Sequence, residues 1–387
     1  MNSLLVRLAA FLGLGVVSFL PVVIVAYVSR HNIKTASEIS ITFAYVGLVF
    51  TVFYFGQRAY LSFNANDDIY EHLIFRLINI FLASLLLVLI GSFVGLPGFI
   101  ITLAISIKLS EALMDLRYGY ITKIKDANRA SREYCITGFF RACLFFSVFL
   151  LFPNPSIHNY YFYVFAGGGL FVALLVRYVV LKDLVMSMRS YSLENYFSSL
   201  RLNFVFALSA FSCGIVIAAP RLLLAGGAGV ELQAVALSLA PLLGLMFQAI
   251  WISNINKVHA GGKAILFFLA ETLLLLSIIY FSSPLWGKGI SIFYGDAIRG
   301  GLDLFVDVLL ASAVFFSVIS FLNVLKARLP MFEFFIHILG FVFYLILSGY
   351  MGKEVVFSLY ATSGFMGLLL LLVFFVMRRA YEEQAGK

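Results

Sequence analysis

Apolar positions along this chain fall in long unbroken blocks separated by short polar joints. Twelve blocks can be drawn, at about 4–28, 37–60, 73–95, 97–116, 133–152, 160–181, 202–225, 231–252, 264–284, 302–325, 331–350 and 354–377. Each is near the ~20 residues that cross a hydrocarbon core as a helix. Apolar runs of this length, recurring from end to end, predict transmembrane helices and not a water-facing fold with a buried core. The expected class is an all-α polytopic membrane protein. Pro97 opens the fourth block and Pro330 stands just before the eleventh, positions where a helix tolerates proline. The turns Leu96-Pro97-Gly98 and Pro153-Asn154-Pro155 are short and uncharged. The first block, Leu4 to Val28, is longer than a signal-peptide core and has no small-x-small cleavage site, so it is expected to stay as a first span.

The polar residues then set the orientation. The densest run of charge is Lys108 to Arg141, KLSEALMDLRYGYITKIKDANRASREYCITGFFR, with Arg117, Lys123, Lys125, Arg129 and Arg132 between two apolar blocks. If the amino terminus is placed inside, 18 of the 27 Lys and Arg fall on inside segments, six on outside segments and three, Lys108, Arg141 and Arg177, within spans. A threefold bias of this kind orients a multi-span protein. Both termini are therefore expected in the cytoplasm. Composition fits: 62% of the 387 residues are hydrophobic and 12% charged, about half the charged share of a soluble domain. The formal charge of +8 reads as loop bias, since no nucleic-acid-binding module accompanies it. Cys135, Cys143 and Cys213 lie in apolar blocks without metal or disulfide spacing and are expected to be packing residues.

The chain also carries a faint internal repeat. Shifted by 193 residues, Ala36-Ser37-Glu38-Ile39 falls on Gly229-Val230-Glu231-Leu232, and the apolar pattern of Gly214 to Phe247 follows that of Pro21 to Tyr54. Two six-helix halves, 1–193 and 194–387, would then have the same orientation, an arrangement found in transporters.

No Walker A loop, HExxH or GxSxG is present. The longest joint, around 182–201, has ~20 residues and is too short to fold alone as a catalytic domain. No enzyme, cofactor or metal site is expected. The informative residues are ionisable groups at membrane depth, which are costly and usually face a cavity or a partner. Lys108 is ~16 Å into the fourth span, with Glu111 and Asp115 on the same helix face at i+3 and i+7. It either pairs with Glu111 or contacts an anion. Arg141 is ~12 Å into the fifth span; it either lines a cavity or pairs with Glu111 or Asp115. Arg177 and Arg58 stand near span ends, where they serve as interface anchors or as further substrate contacts. Glu271 is alone in mid-span and, with Asp115, is a candidate coupling-ion site; burial favours its neutral form. Glu333 and His337, four apart, have the spacing of a helical pair. Asp303 and Asp307 suit the start of the tenth helix.

The twelve spans, the two halves and the long basic joint after span four resemble the polysaccharide transporters of the multidrug/oligosaccharidyl-lipid/polysaccharide (MOP) exporter superfamily, in particular O-antigen flippases of the Wzx type. The stretches that carry the resemblance are Glu111 to Arg141 and Pro220-Arg221-Leu222 through Gly229-Val230-Glu231-Leu232-Gln233-Ala234-Val235-Ala236-Leu237. The chain departs from that pattern in having Pro220-Arg221 where an acidic residue is usual. The resemblance implies a central cationic cavity between the halves and alternating access. The substrate would be an undecaprenyl-diphosphate-linked oligosaccharide crossing the bacterial inner membrane. It also implies coupling to H+ or Na+ and other polysaccharide-assembly proteins as partners. A diphosphate cannot cross ~30 Å of hydrocarbon unaided, and Arg or Lys in a low-dielectric cavity binds it strongly. Lys108 and Arg141 would then form a ladder for the diphosphate.

Two other classes remain open. A MATE-like drug exporter would use an acidic interior, with Glu271 and Asp115 leading. A glycan polymerase would need a large outer loop, and the outer joints here are short. The charge bias yields a topology test: reporter fusions after Asp126 and Ser192 should report cytoplasm, and fusions after Gly95 and Asn154 the exterior. Swapped signals at any two of these sites would contradict the twelve-span scheme.

Overall fold

A computed structural model describes residues 21–54, 69–123, 127–152, 160–178, 181–224, 229–258, 262–328, 330–350 and 354–385, with only the backbone described for some residues inside these helices. The described residues are almost wholly helical. Residues 21–29 are helical, a stretch we call α1. It is followed by α2 (Ile33–Phe53), α3 (Ile69–Val94), α4 (Gly98–Lys123), α5 (Ala127–Leu151) and α6 (Tyr160–Tyr178). A short α7 (Leu181–Ser190) leads into α8 (Leu193–Leu222), α9 (Val230–Val258) and α10 (Gly262–Tyr294). A 3-10 turn (Asp296–Gly301) then precedes α11 (Leu302–Arg328), α12 (Pro330–Tyr350) and α13 (Val355–Ala385). Seven of the described helices are long and apolar enough to span a membrane.

Local chemistry sets the helix ends. The Asn32 side chain accepts from the Thr35 amide at 3.1 Å and opens α2. Ser192 and Asn195 exchange side-chain bonds with each other's backbone and open α8. Gly95, at φ +73°, stops α3 in the left-handed region, and the Leu96 amide returns to the Gly91 carbonyl at 2.9 Å. Many span hydroxyls bond back to their own helix, as Ser312 does to the Val308 carbonyl at 2.7 Å, which satisfies those donors within the apolar layer. The outward faces carry the largest apolar groups, including Phe81 and Phe93 on α3 and Phe281 and Leu285 on α10. Such surface is stable only against lipid.

Two differences from the sequence reading concern charged joints. The basic run 117–132 is mostly helical: α4 reaches Lys123 and α5 begins at Ala127. Helix continues past the apolar block because its polar residues stand beyond the hydrocarbon and still satisfy the backbone. The joint at 182–201 holds α7, which is amphipathic. Leu184 is buried beneath it, Val185, Met186 and Met188 are exposed, and Asp183 and Arg189 occupy its first and last turns in accord with the helix dipole.

The two halves pair their helices alike. In the first, α4 packs against α2, α3, α5 and α6; in the second, α11 packs against α9, α10, α12 and α13. Gly167 on α6 sits so close to Ser106 on α4 that an added Cβ would lie 2.4 Å from the serine Cβ, and Gly244 on α9 meets Phe316 on α11 in the same way. The halves join chiefly through α2, which packs on α8 and α9. Ser40 on α2 donates to the Ala234 carbonyl at 2.6 Å. At the Gly95 end of the bundle, Arg30 donates to the Phe293 carbonyl at 2.9 Å and to the Ile292 carbonyl, occupying acceptors that the end of α10 leaves open. At the Ser192 end, the Tyr196 hydroxyl donates to Asn79 Oδ1 at 3.0 Å, tying α8 to α3.

Candidate functional site

Helix α4 brings Lys108 and Glu111 onto one face, and Lys108 Nζ donates to Glu111 Oε2. From α5, Arg141 Nη2 donates to Glu111 Oε1 at 2.8 Å and to the Ile107 carbonyl at 3.1 Å. One carboxylate thus serves two cations. Arg141 is 1% exposed, Glu111 13% and Lys108 23%, so the ammonium is the part of the cluster that a solute meets first. A second contact, Arg117 Nε to Glu133 Oε2 at 3.4 Å, joins the same helices nearer the Ser192 end. The sums of the paired numbers, 252 and 250, show one antiparallel register between α4 and α5.

Lys108 lies ten residues from the start of α4 and Arg141 ten from the end of α5, or ~15 Å along each axis. In an antiparallel pair this puts them at one level near the bilayer midplane. The two cations share a rung and do not form successive rungs of a ladder.

The network extends further. The Tyr54 hydroxyl at the end of α2 donates to the Lys108 carbonyl at 3.3 Å, and the Arg76 guanidinium lies 4.3 Å from the centre of the Tyr54 ring. That geometry is a cation–π contact, stronger when desolvated. Arg76 is fully buried on α3, on a polar face with His72 and Asn79. Sequence reading assigned Arg76 to an inside segment because the span edge was drawn beside it. The spacing 72, 76, 79 on an otherwise apolar helix was the available signal. Lys108 and Arg141 therefore meet at Glu111, and Arg76 is linked to the same helix through Tyr54 and the Lys108 carbonyl.

The other sequence candidates lie elsewhere. Arg177 is exposed in the last turn of α6. Gly167 meets Ser106, so Arg177 is ~15 Å beyond that contact, level with Leu116 and not with Lys108. Glu271 is partly buried on α10, in the other half of the chain. The Asp115 side chain and the whole of Arg58 lie outside the described residues. In the second half Glu333 and His337 on α12 are buried together, with Glu333 Oε1 3.9 Å from His337 Nδ1 and the Ser209 hydroxyl of α8 donating to Oε2. Both side chains are wholly buried. Cys143 and Cys213 are free thiols.

No protein-family model matches the chain, and no curated protein matches it. Solved structures do. A eukaryotic MATE transporter superposes over 96% of this chain and 95% of its own, with TM-score 0.59 at 14% identity. A MOP superfamily transporter from Pyrococcus furiosus covers 95% of this chain and 94% of its own, with TM-score 0.58 at 15% identity. A Vibrio cholerae MATE transporter matches over 96% of each chain, with TM-score 0.54 at 15% identity. The chain has the MATE/MOP transporter fold. It is a multi-pass membrane protein whose structural neighbours are transporters. In this MOP-type fold the Lys108–Glu111–Arg141 cluster belongs to the first half and the Glu333–His337 pair to the second.

The shared carboxylate generates a stability prediction. Glu111→Gln removes the carboxylate that two inward cations share and should cost ~3–5 kcal/mol. Glu133→Gln breaks a longer, wetter contact and should cost roughly 1 kcal/mol or less. Thermal unfolding of the purified protein in one detergent compares them. Equal losses would show that the shared carboxylate has no special structural weight, and a Glu111→Gln/Arg141→Gln double variant should regain part of the loss.

Proposed function

We propose that this protein is an alternating-access flippase for an anionic lipid-linked sugar, an undecaprenyl-diphosphate-linked oligosaccharide of the O-antigen kind, in a bacterial inner membrane. The residues 1–193 and 194–387 would act as two lobes. The observation that carries the reading is the gathering of inward cations in the first half: Lys108 and Arg141 share the Glu111 carboxylate, and Arg76 stands over the Tyr54 ring whose hydroxyl bonds to the Lys108 carbonyl. A site with that balance favours a diphosphate and disfavours an organic cation. Lys108, the most exposed of the cluster, would exchange Glu111 for a phosphate oxygen. Arg141, held by both Glu111 and the Ile107 carbonyl, would keep the cluster in place. Arg177 and, by the sequence reading, Arg58 would meet the diphosphate nearer the Ser192 end. For the Pyrococcus furiosus transporter a reverse polarity of the binding pocket is said to suggest a different function; a cationic interior here supports the same kind of contrast with drug exporters.

The second reading, a MATE-like ion-coupled exporter, draws on the buried Glu333–His337 pair and on Glu271 and Asp115 as coupling groups. A buried carboxyl that cycles between protonated and charged forms would serve either reading as the H+ or Na+ link.

Export of lipid-linked sugar, measured together with membrane protein level, tests the proposal. Lys108→Ala should cut export roughly tenfold or more at normal abundance, the loss expected when a charge-assisted contact disappears. Arg141→Lys should retain part of the activity, since lysine keeps the charge but not the guanidinium geometry. Full export in Lys108→Ala would remove the ammonium from the substrate path.

A further inference from the structure

Helices α10 and α13 each pack on α11 but hardly on each other. Between them runs a cleft of about 250 Å³, with the buried Ile279 and Ala313 as its floor and Tyr280, Leu310, Val314 and Tyr360 around it. Tyr280 and Tyr360 are exposed, and Phe281, next to Tyr280, belongs to the face that α10 presents to lipid. The cleft therefore opens sideways into the bilayer. Leu310 and Val314 are eight and twelve residues into α11, or ~12 and ~18 Å from the Gly95 end, which is hydrocarbon depth. In the first half the matching seam is closed: Gly167 on α6 meets Ser106, the ninth residue of α4. The ninth residue of α11 is Leu310, a larger side chain at the same level of the seam.

A space of this size inside a bilayer is filled by something, because an empty one forfeits the dispersion contacts of its lining. Water takes ~30 Å³ per molecule but needs two to four polar partners. The hydroxyl in the wall, Ser277, is already donated to the Leu273 carbonyl at 2.9 Å. Away from the tyrosines the lining is apolar, so a hydrocarbon chain fits it. The mouth is different. Asp307 is five residues into α11, ~8 Å from the Gly95 end and past the first turn, where the helix dipole would favour it. It precedes Leu310 by three residues and Val314 by seven, so it shares their face and looks along the cleft. Asp307 and Tyr280 both stand within electrostatic range of Tyr360. Among the described residues no cation pairs with Asp307, and the Tyr280 and Tyr360 hydroxyls make no hydrogen bond. Asp303, one turn before Asp307, and Glu354, just before α13, are exposed acids at the same end. The exposed Lys288 of α10 is ~12 Å along the helix from Tyr280. An apolar cleft with a carboxylate at its mouth complements an apolar chain with a positive hydrogen-bond donor at its head.

We propose that the cleft between α10, α11 and α13 binds one phospholipid with a primary-ammonium headgroup, of the phosphatidylethanolamine kind, from the leaflet at the Gly95 end. One acyl chain lies against Ile279, Ala313 and Val314. The ammonium donates to the Asp307 carboxylate, and the Tyr280 and Tyr360 hydroxyls donate to oxygens of the phosphate region. A choline headgroup has no N–H to give the carboxylate, and an anionic headgroup is repelled by it. The lipid fills the seam that the first half closes with Gly167, so it acts as a structural ligand of the second half. The site is separate from the Lys108–Glu111–Arg141 cluster and independent of the flippase reading.

The test uses the full chain purified in a neutral detergent and titrated with dioctanoyl phosphatidylethanolamine, phosphatidylcholine or phosphatidylglycerol. The ethanolamine lipid should raise the unfolding temperature by several degrees and saturate, and the other two should not. Native mass spectrometry of the same samples should show one ethanolamine lipid retained per chain. Asp307→Asn should weaken that binding roughly tenfold or more, the loss expected when a charge-assisted contact disappears. Asp307→Glu should keep most of it, and Lys108→Ala should leave it intact. In nanodiscs of phosphatidylethanolamine and phosphatidylglycerol, the density of the unaltered protein should show a chain between α10 and α13 with its headgroup beside Asp307, a readout that does not depend on any variant folding. Equal stabilisation by all three lipids, or by none, would overturn the proposal. So would ethanolamine-lipid binding of unchanged affinity in Asp307→Asn, or a cleft with no chain density.

Discussion

Two cations held on one carboxylate in the membrane interior are the constraint on which the first half depends. Glu111 receives Lys108 from its own helix and Arg141 from the next. One carboxylate that holds cations from two helices ties those helices together at a depth where ionisable groups are expensive to hold. The pair α4–α5 is fixed in register by this contact and by Arg117–Glu133. Helix α6 packs on α4 at Gly167, and α2 closes over the cluster through Tyr54. Removing the shared carboxylate would therefore disturb packing, polarity and any anion contact together.

The two halves have the same helix pairing, and among the described residues they bury different ionisable groups. The first gathers guanidinium and ammonium groups, while the second buries Glu333 against His337 and Ser209. Between them α2 is the shared wall, bonded to α9 through Ser40, and Arg30 clasps the end of α10 at one end of the bundle. For one half to rock against the other, Arg30 must release the α10 carbonyls, contacts that are easily remade because the arginine is exposed.

The fold was legible because a bilayer enforces it. Long apolar blocks have few alternatives to spanning helices, and where the blocks drawn from the sequence lie within the described residues they fall on helices. Lys108, Glu111 and Arg141 were legible one by one, since each is an ionisable residue in an apolar block. Their common depth was not, because the register between α4 and α5 is a tertiary fact absent from a single-chain pattern. Arg76 was missed for a different reason. It stands near a span edge, where a shift of a few residues separates an interface anchor from a buried cation. The helical state of 181–190 was hidden by its charges, which suggested a loop while its apolar residues matched an amphipathic helix.

The central claim is that the first half recognises an anion. Equilibrium binding to the purified protein decides it most directly, with a fluorescent polyprenyl diphosphate and a fluorescent lipophilic cation titrated in the same neutral detergent. The account predicts saturable binding of the diphosphate that weakens as salt is raised, is displaced by inorganic pyrophosphate and is lost in Lys108→Ala, with no saturable binding of the cation. Saturable binding of the cation, with none of the diphosphate, would contradict it.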